Sequence, residues 1–183
     1  MTAAPTAKRL NLPITILPWT REIWPEMTVK QEDGSRLFVM GLPETLFRND
    51  ENLNLGENWH TMDCLEGSTV KAAYEWIVKE SDAFLQTLGY QREGGVYRIL
   101  YPNDERIAVF CHGGLSLSWL PHLLAIPPHL FWASFDIGHS GVTLLEFTNN
   151  ASGFTAPKCH FFSDISHIYK SGLPMLYNGY LPV

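Results

Sequence analysis

Residues 106–126 constrain this chain more than any other stretch. An apolar run from Ile107 to Cys111 stops at His112. Gly113 and Gly114 follow, and apolar residues then recur at helical spacing through Ile126. The pattern predicts a buried strand, a tight turn and a helix that starts at the turn. Open α/β sheets place ligands at such turns, beyond the carboxyl ends of their strands. His112 then stands beside the free N–H groups of a helix start, which favour an anion such as phosphate. The glycine pair lets the backbone approach that anion closely.

Composition narrows the classes open to the chain. Its 183 residues suit one domain, 1–183, with a real core. Apolar residues at 45% against 17% charged residues describe a globular rather than a disordered chain. A formal net charge of −6 argues against nucleic acid and anionic membranes as partners, but not against a small anionic substrate. No apolar stretch is long enough to span a bilayer, and the N-terminus lacks the apolar core of a signal peptide. Cys64, Cys111 and Cys159 form neither a disulfide framework nor a metal-binding pair. Cys111 reads as a small core residue, and a reducing, cytoplasmic setting is expected.

Along the chain, residues 2–10 read as a helix end and Leu12–Leu17 as a short β-branched strand. Residues 23–67 are irregular, with Leu37–Met40 as one apolar island, and suggest a variable lid or specificity segment. Ser68 or Thr69 caps a helix whose apolar face carries Val70, Ala73, Tyr74, Ile77, Val78, Phe84, Leu85 and Leu88, ended by Gly89. Strands are expected at 95–101, 107–111, 141–147 and 158–162, and helices at 115–125 and about 129–135. Asn149–Gly153 reads as a turn and Tyr169–Val183 as irregular. The mixture predicts an α/β fold, a three-layer α/β/α sandwich with a mostly parallel mixed sheet.

Seven histidines are present, and most read as surface or hydrogen-bonded structural residues. His112 differs because it ends a strand ahead of two glycines. His122 and His129 match no zinc spacing, and there is no His-Glu-x-x-His, so no metal and no cofactor are expected. Gly138-His139-Ser140-Gly141-Val142 is a faint version of the serine-hydrolase elbow. That elbow needs glycine at the fifth position and a helix after the serine; here Val142 opens a strand. A serine esterase acting through Ser140 is therefore the weakest of three readings.

Three segments in order resemble the histidine phosphatase superfamily, the phosphoglycerate mutase-like enzymes. Thr6–Ile14, running on to Trp19-Thr20-Arg21-Glu22, resembles its Thr-Ala helix, strand and Leu-Arg-Glu. Glu66-Gly67-Ser68 resembles the Gly-Glu-Ser that starts a long helix. Residues 107–114 resemble its second histidine motif, a hydrophobic strand before His-Gly-Gly. Gly141–Phe147 and Ser163–Ile168 continue the likeness, which is least over 23–65.

The resemblance implies metal-independent hydrolysis of a small phosphomonoester, by a phosphatase or a mutase, through a phosphohistidine. In that scheme one histidine attacks phosphorus. A second, matched by His112, stabilises the transferring phosphoryl, with Gly113 and Gly114 shaping the phosphate pocket. A glutamate, matched by Glu22, protonates the leaving oxygen. A salt-bridged surface carboxylate is the competing reading of Glu22.

The departures are as informative. The family's nucleophile lies in an Arg-His-Gly motif, and this chain contains none. Relative to the family it reads as N-terminally truncated, whether as a truncated gene model, a fragment or a pseudoenzyme. Without the family's first strand, two strands would lack a neighbour. The expected results are a homodimer formed by strand exchange, closure by sliding, or aggregation. The alternative function is a non-catalytic phosphate-ligand or partner-binding module on the same scaffold.

Overall fold

The computed structural model describes residues 2–174 and, for the backbone alone, 176–177 and 181–182. A short helix, α1 (Ala4–Leu10), is followed by an extended stretch and a single 3-10 turn at Pro18–Thr20. The hairpin β1 (Thr28–Lys30) and β2 (Arg36–Phe38) comes next, then α2 (Glu44–Phe47) and two further 3-10 turns. The long helix α3 (Val70–Thr87) leads into the hairpin β3 (Tyr90–Glu93) and β4 (Val96–Ile99). Beyond an extended stretch stand α4 (Gly113–Leu124) and α5 (Pro128–Trp132). The chain continues through β5 (Val142–Glu146), β6 (Phe154–Thr155), β7 (Lys158–Asp164), α6 (Ser166–Lys170), β8 (Leu176–Tyr177) and β9 (Leu181–Pro182).

The core lies where α3 packs on α4 and α4 on α5. The sequence periodicity accounts for α3: Val70, Ala73, Tyr74, Ile77 and Leu85 are buried along one face, with Ser81 among them. Ser81 is tolerated there because its hydroxyl accepts the indole N–H of Trp119 at 2.6 Å, and a paired buried polar group is cheap. Trp119 also packs against Trp19, centroids 4.9 Å apart and nearly perpendicular, with Phe84 beside both. A second aromatic group joins Trp59, Tyr74, Phe47 and Trp132. Residues 23–67 are built into this interior, burying Met27, Val29, Val39, Phe47, Trp59, Met62 and Leu65. Gly89 ends α3 at φ +91°, a conformation that favours glycine.

The expected sandwich is not formed. The described strands make four small sheets, all antiparallel: β1–β2, β3–β4–β6, β5–β7 and β8–β9. The reason lies in the two segments meant to carry the parallel sheet. Residues 12–16 and 107–111 are extended yet exposed throughout, and neither has a strand beside it among the described residues. Cys111 is correspondingly exposed, not in the core. A parallel ladder stabilises nothing until a neighbour arrives to share it.

Three elements carry weaker sequence signals. The partner of β4 is β3, joined through Gly94-Gly95, a two-residue link suited to a hairpin. The apolar island at 37–40 holds part of β2. The tail expected to be irregular contains the end of α6 and the β8–β9 pair, with residues 175, 178–180 and 183 outside the described set. Among the described residues, no helix is long and apolar enough to cross a membrane.

His129 gives the fold a dependence on pH. It is fully buried on α5, its Nε2 lies 3.0 Å from the carbonyl of Asn52, and its Nδ1 has no partner. A carbonyl only accepts, so Nε2 carries the proton and Nδ1 is bare. Burial pushes the imidazole pKa below its ordinary value. The unfolded chain then binds the proton more readily, and stability falls as pH drops below about 6.5. Urea midpoints measured between about pH 7 and pH 5 should fall less steeply in His129→Gln than in the parent chain.

Candidate functional site

Glu22 and His112 are far apart in sequence and are brought together by core packing. The 3-10 turn Pro18–Thr20 drives Trp19 inward, and Ile23 is buried three residues further on. With Trp19 against Trp119 of α4, Glu22 is held between two anchored neighbours at the N-terminal end of that helix. His112 is the residue ahead of α4, with extended dihedrals of φ −116° and ψ 160°. Its carbonyl receives both the N–H and the hydroxyl of Ser116, each at 2.9 Å. The hydroxyl of Ser116 also lies 3.2 Å from the Cys111 thiol.

The His112 Nδ1 stands 3.9 Å from Glu22 Oε2, with side-chain exposures of 55% and 40%. That separation exceeds a hydrogen bond and leaves Glu22 Oε2 and His112 Nδ1 facing each other unbonded. An exposed pair of this kind contributes at most about 1 kcal/mol to stability. Glu22 Oε1 accepts the N–H of Ile23 at 2.9 Å, which fixes the carboxylate against its own turn. The first N–H groups of α4, from Gly113 to Leu115, donate to no described group, as expected of a helix start.

Gly114 is the close-approach residue. A Cβ there would lie 2.5 Å from Phe38 Cζ and 2.7 Å from Glu22 Oε1, whereas Gly113 has open space around it. The glycine pair is thus divided in role: Gly114 admits Glu22 and the Phe38 ring to the helix start, and Gly113 is sterically free. Phe38, its ring tilted against Trp24 with centroids 5.0 Å apart, is a site neighbour that the sequence reading missed. Its only signal was an aromatic residue inside the apolar island of a segment read as variable.

The other titratable groups lead elsewhere. Arg21 is directed to Glu26, with which it pairs, and its guanidinium lies over the Trp76 ring. His122 is bound to Asp82 at 2.7 Å and His160 to Glu146 at 2.6 Å. No described hydrogen bond or ion pair joins a second histidine to His112. Among the described residues, no group of three or more His, Cys, Asp or Glu could hold a metal ion. Ser140 sits at φ +61° in the turn before β5, and its hydroxyl enters no described hydrogen bond.

Compared with family models, with curated proteins and with solved structures, the chain matches none. The geometry at His112 therefore carries the functional argument by itself.

The contrast between the two glycines is measurable. Gly114→Ala must displace Phe38 or Glu22 and should lower unfolding stability by about 1–3 kcal/mol. Gly113→Ala should leave it within about 0.5 kcal/mol in the same urea titration. Equal effects at the two positions would contradict the crowding at Gly114.

Proposed function

We propose that this chain carries the phosphate-stabilising and proton-donating half of a metal-independent phosphomonoesterase site. The reading rests on one observation: His112, Glu22 and the free N–H groups opening α4 converge at Gly114. A phosphoryl group seated there meets the His112 imidazole and main-chain donors that offset charge on its equatorial oxygens. In this reading Glu22 is the proton donor to the ester oxygen, which leaves as a nucleophile supplied from outside the described site bonds to phosphorus. The substrate class, a small phosphomonoester, rests on the resemblance of residues 107–114 to the second histidine motif of the histidine phosphatases.

One observation supports a second reading. The phosphohistidine scheme needs another histidine to accept the phosphoryl, and no described contact brings one to His112. A module that binds phosphate or a phosphorylated ligand without turnover uses the same His112 and helix start and requires nothing more.

Calorimetry with inorganic phosphate and vanadate, run beside p-nitrophenyl phosphate hydrolysis in EDTA, separates the readings. Both expect saturable binding by the parent chain that His112→Ala abolishes. The hydrolase reading adds turnover, in a chain extended upstream with an Arg-His-Gly segment, that survives chelation and drops at least about a hundredfold in His112→Ala. Binding without turnover in that extended chain selects the module. No binding at millimolar anion rejects both, and labelling of Ser140 by a serine-directed probe would favour an esterase instead.

A further inference from the structure

The segment leading into His112 is built like the middle of a sheet but stands at the surface. Ile107, Val109 and Phe110 are exposed by 52%, 37% and 44%. Side chains alternate between the two faces of a strand, and here both faces are apolar: Ile107, Val109 and Cys111 on one, Ala108 and Phe110 on the other. Runs of that kind belong to strands covered on both sides. The backbone of residues 106–111 makes no hydrogen bond to any described residue. Residues 13–16 are in the same condition, with Ile14 and Ile16 exposed.

Neither segment is protected by charge. No Asp, Glu, Lys or Arg occurs from Leu10 to Thr20, or from Ile107 to Phe135. Natural edge strands are normally blunted by charge, by proline or by a bulge. Pro13 serves one segment, and nothing serves the other. The area agrees. The chain exposes 11848 Å² for 20.7 kDa, against about 8,900 Å² for a compact monomer of that mass. The excess is roughly 3,000 Å², and each member of an obligate dimer buries on the order of 1,000–2,500 Å².

We infer that two copies of this chain pair through Ile107–Cys111, antiparallel about a two-fold axis at Val109. The register is self-complementary, as a two-fold contact requires. Ile107 faces Cys111, Ala108 faces Phe110, and Val109 faces its own counterpart. The N–H and C=O groups of alternate residues of each segment then bond across the axis. Because this strand ends at His112, the second copy would also wall one side of the phosphate site.

Sedimentation velocity of the full chain across the micromolar range tests the pairing, together with hydrogen exchange at the amides of 107–111. The expected result is a closed dimer in which those amides are protected. Val109→Lys sets two ammonium groups together at the axis and should return the chain to monomer with its helical circular dichroism intact. A monomer at every concentration overturns the inference. So does a dimer whose 107–111 amides exchange freely, or open-ended assembly beyond two copies. If Val109→Lys unfolds the chain, exchange on the unaltered protein decides.

Discussion

The perpendicular contact of Trp19 with Trp119 joins the N-terminal part of the chain to the helix that presents the site. The Trp119 indole N–H is satisfied by Ser81 of α3, so the contact is anchored on two helices at once. Buried aromatic pairs with a satisfied polar handle are stiff as well as apolar. Glu22 lies three residues beyond Trp19, and His112 lies seven residues before Trp119. Their 3.9 Å approach is a product of this packing, since the pair has little attraction of its own at the surface.

The architecture divides into a well-packed half and an open one. Around α3, α4 and α5 the aromatic clusters interlock and polar groups find partners. On the other side, Leu12–Ile16 and Ile107–Cys111 run extended without ladders. Exposed apolar side chains extend across β5 and β7, where Val142, Leu144 and Phe161 lie open. A helix satisfies its own backbone, so the helical half needs no outside partner. A strand cannot do this, and the unfinished surface therefore falls where strands were expected.

Legibility followed the same division. The face of α3, its end at Gly89, the start of α4 after His112 and the strands at 142–146 and 158–164 were all readable, because each rests on local periodicity or a turn residue. The sandwich was not, because β-branched composition at 12–17 and 107–111 declares a wish for neighbours without supplying any. At the site, His112 and Gly114 were visible from residues next to each other in sequence. Glu22 was reached through resemblance alone, and Phe38 was missed, since its role depends on a hairpin folding back over α4.

The amino-acid order by itself determined where α3 ends, which of its faces is apolar, and that an imidazole precedes two glycines at a helix start. These are short-range matters of dihedral preference and periodic burial. Only the tertiary structure decided that Glu22 and Phe38 meet that helix at Gly114, and that two β-rich runs stand uncovered. Both depend on which distant segments share the interior, and pairing between strands is a property of neighbours that no single segment encodes.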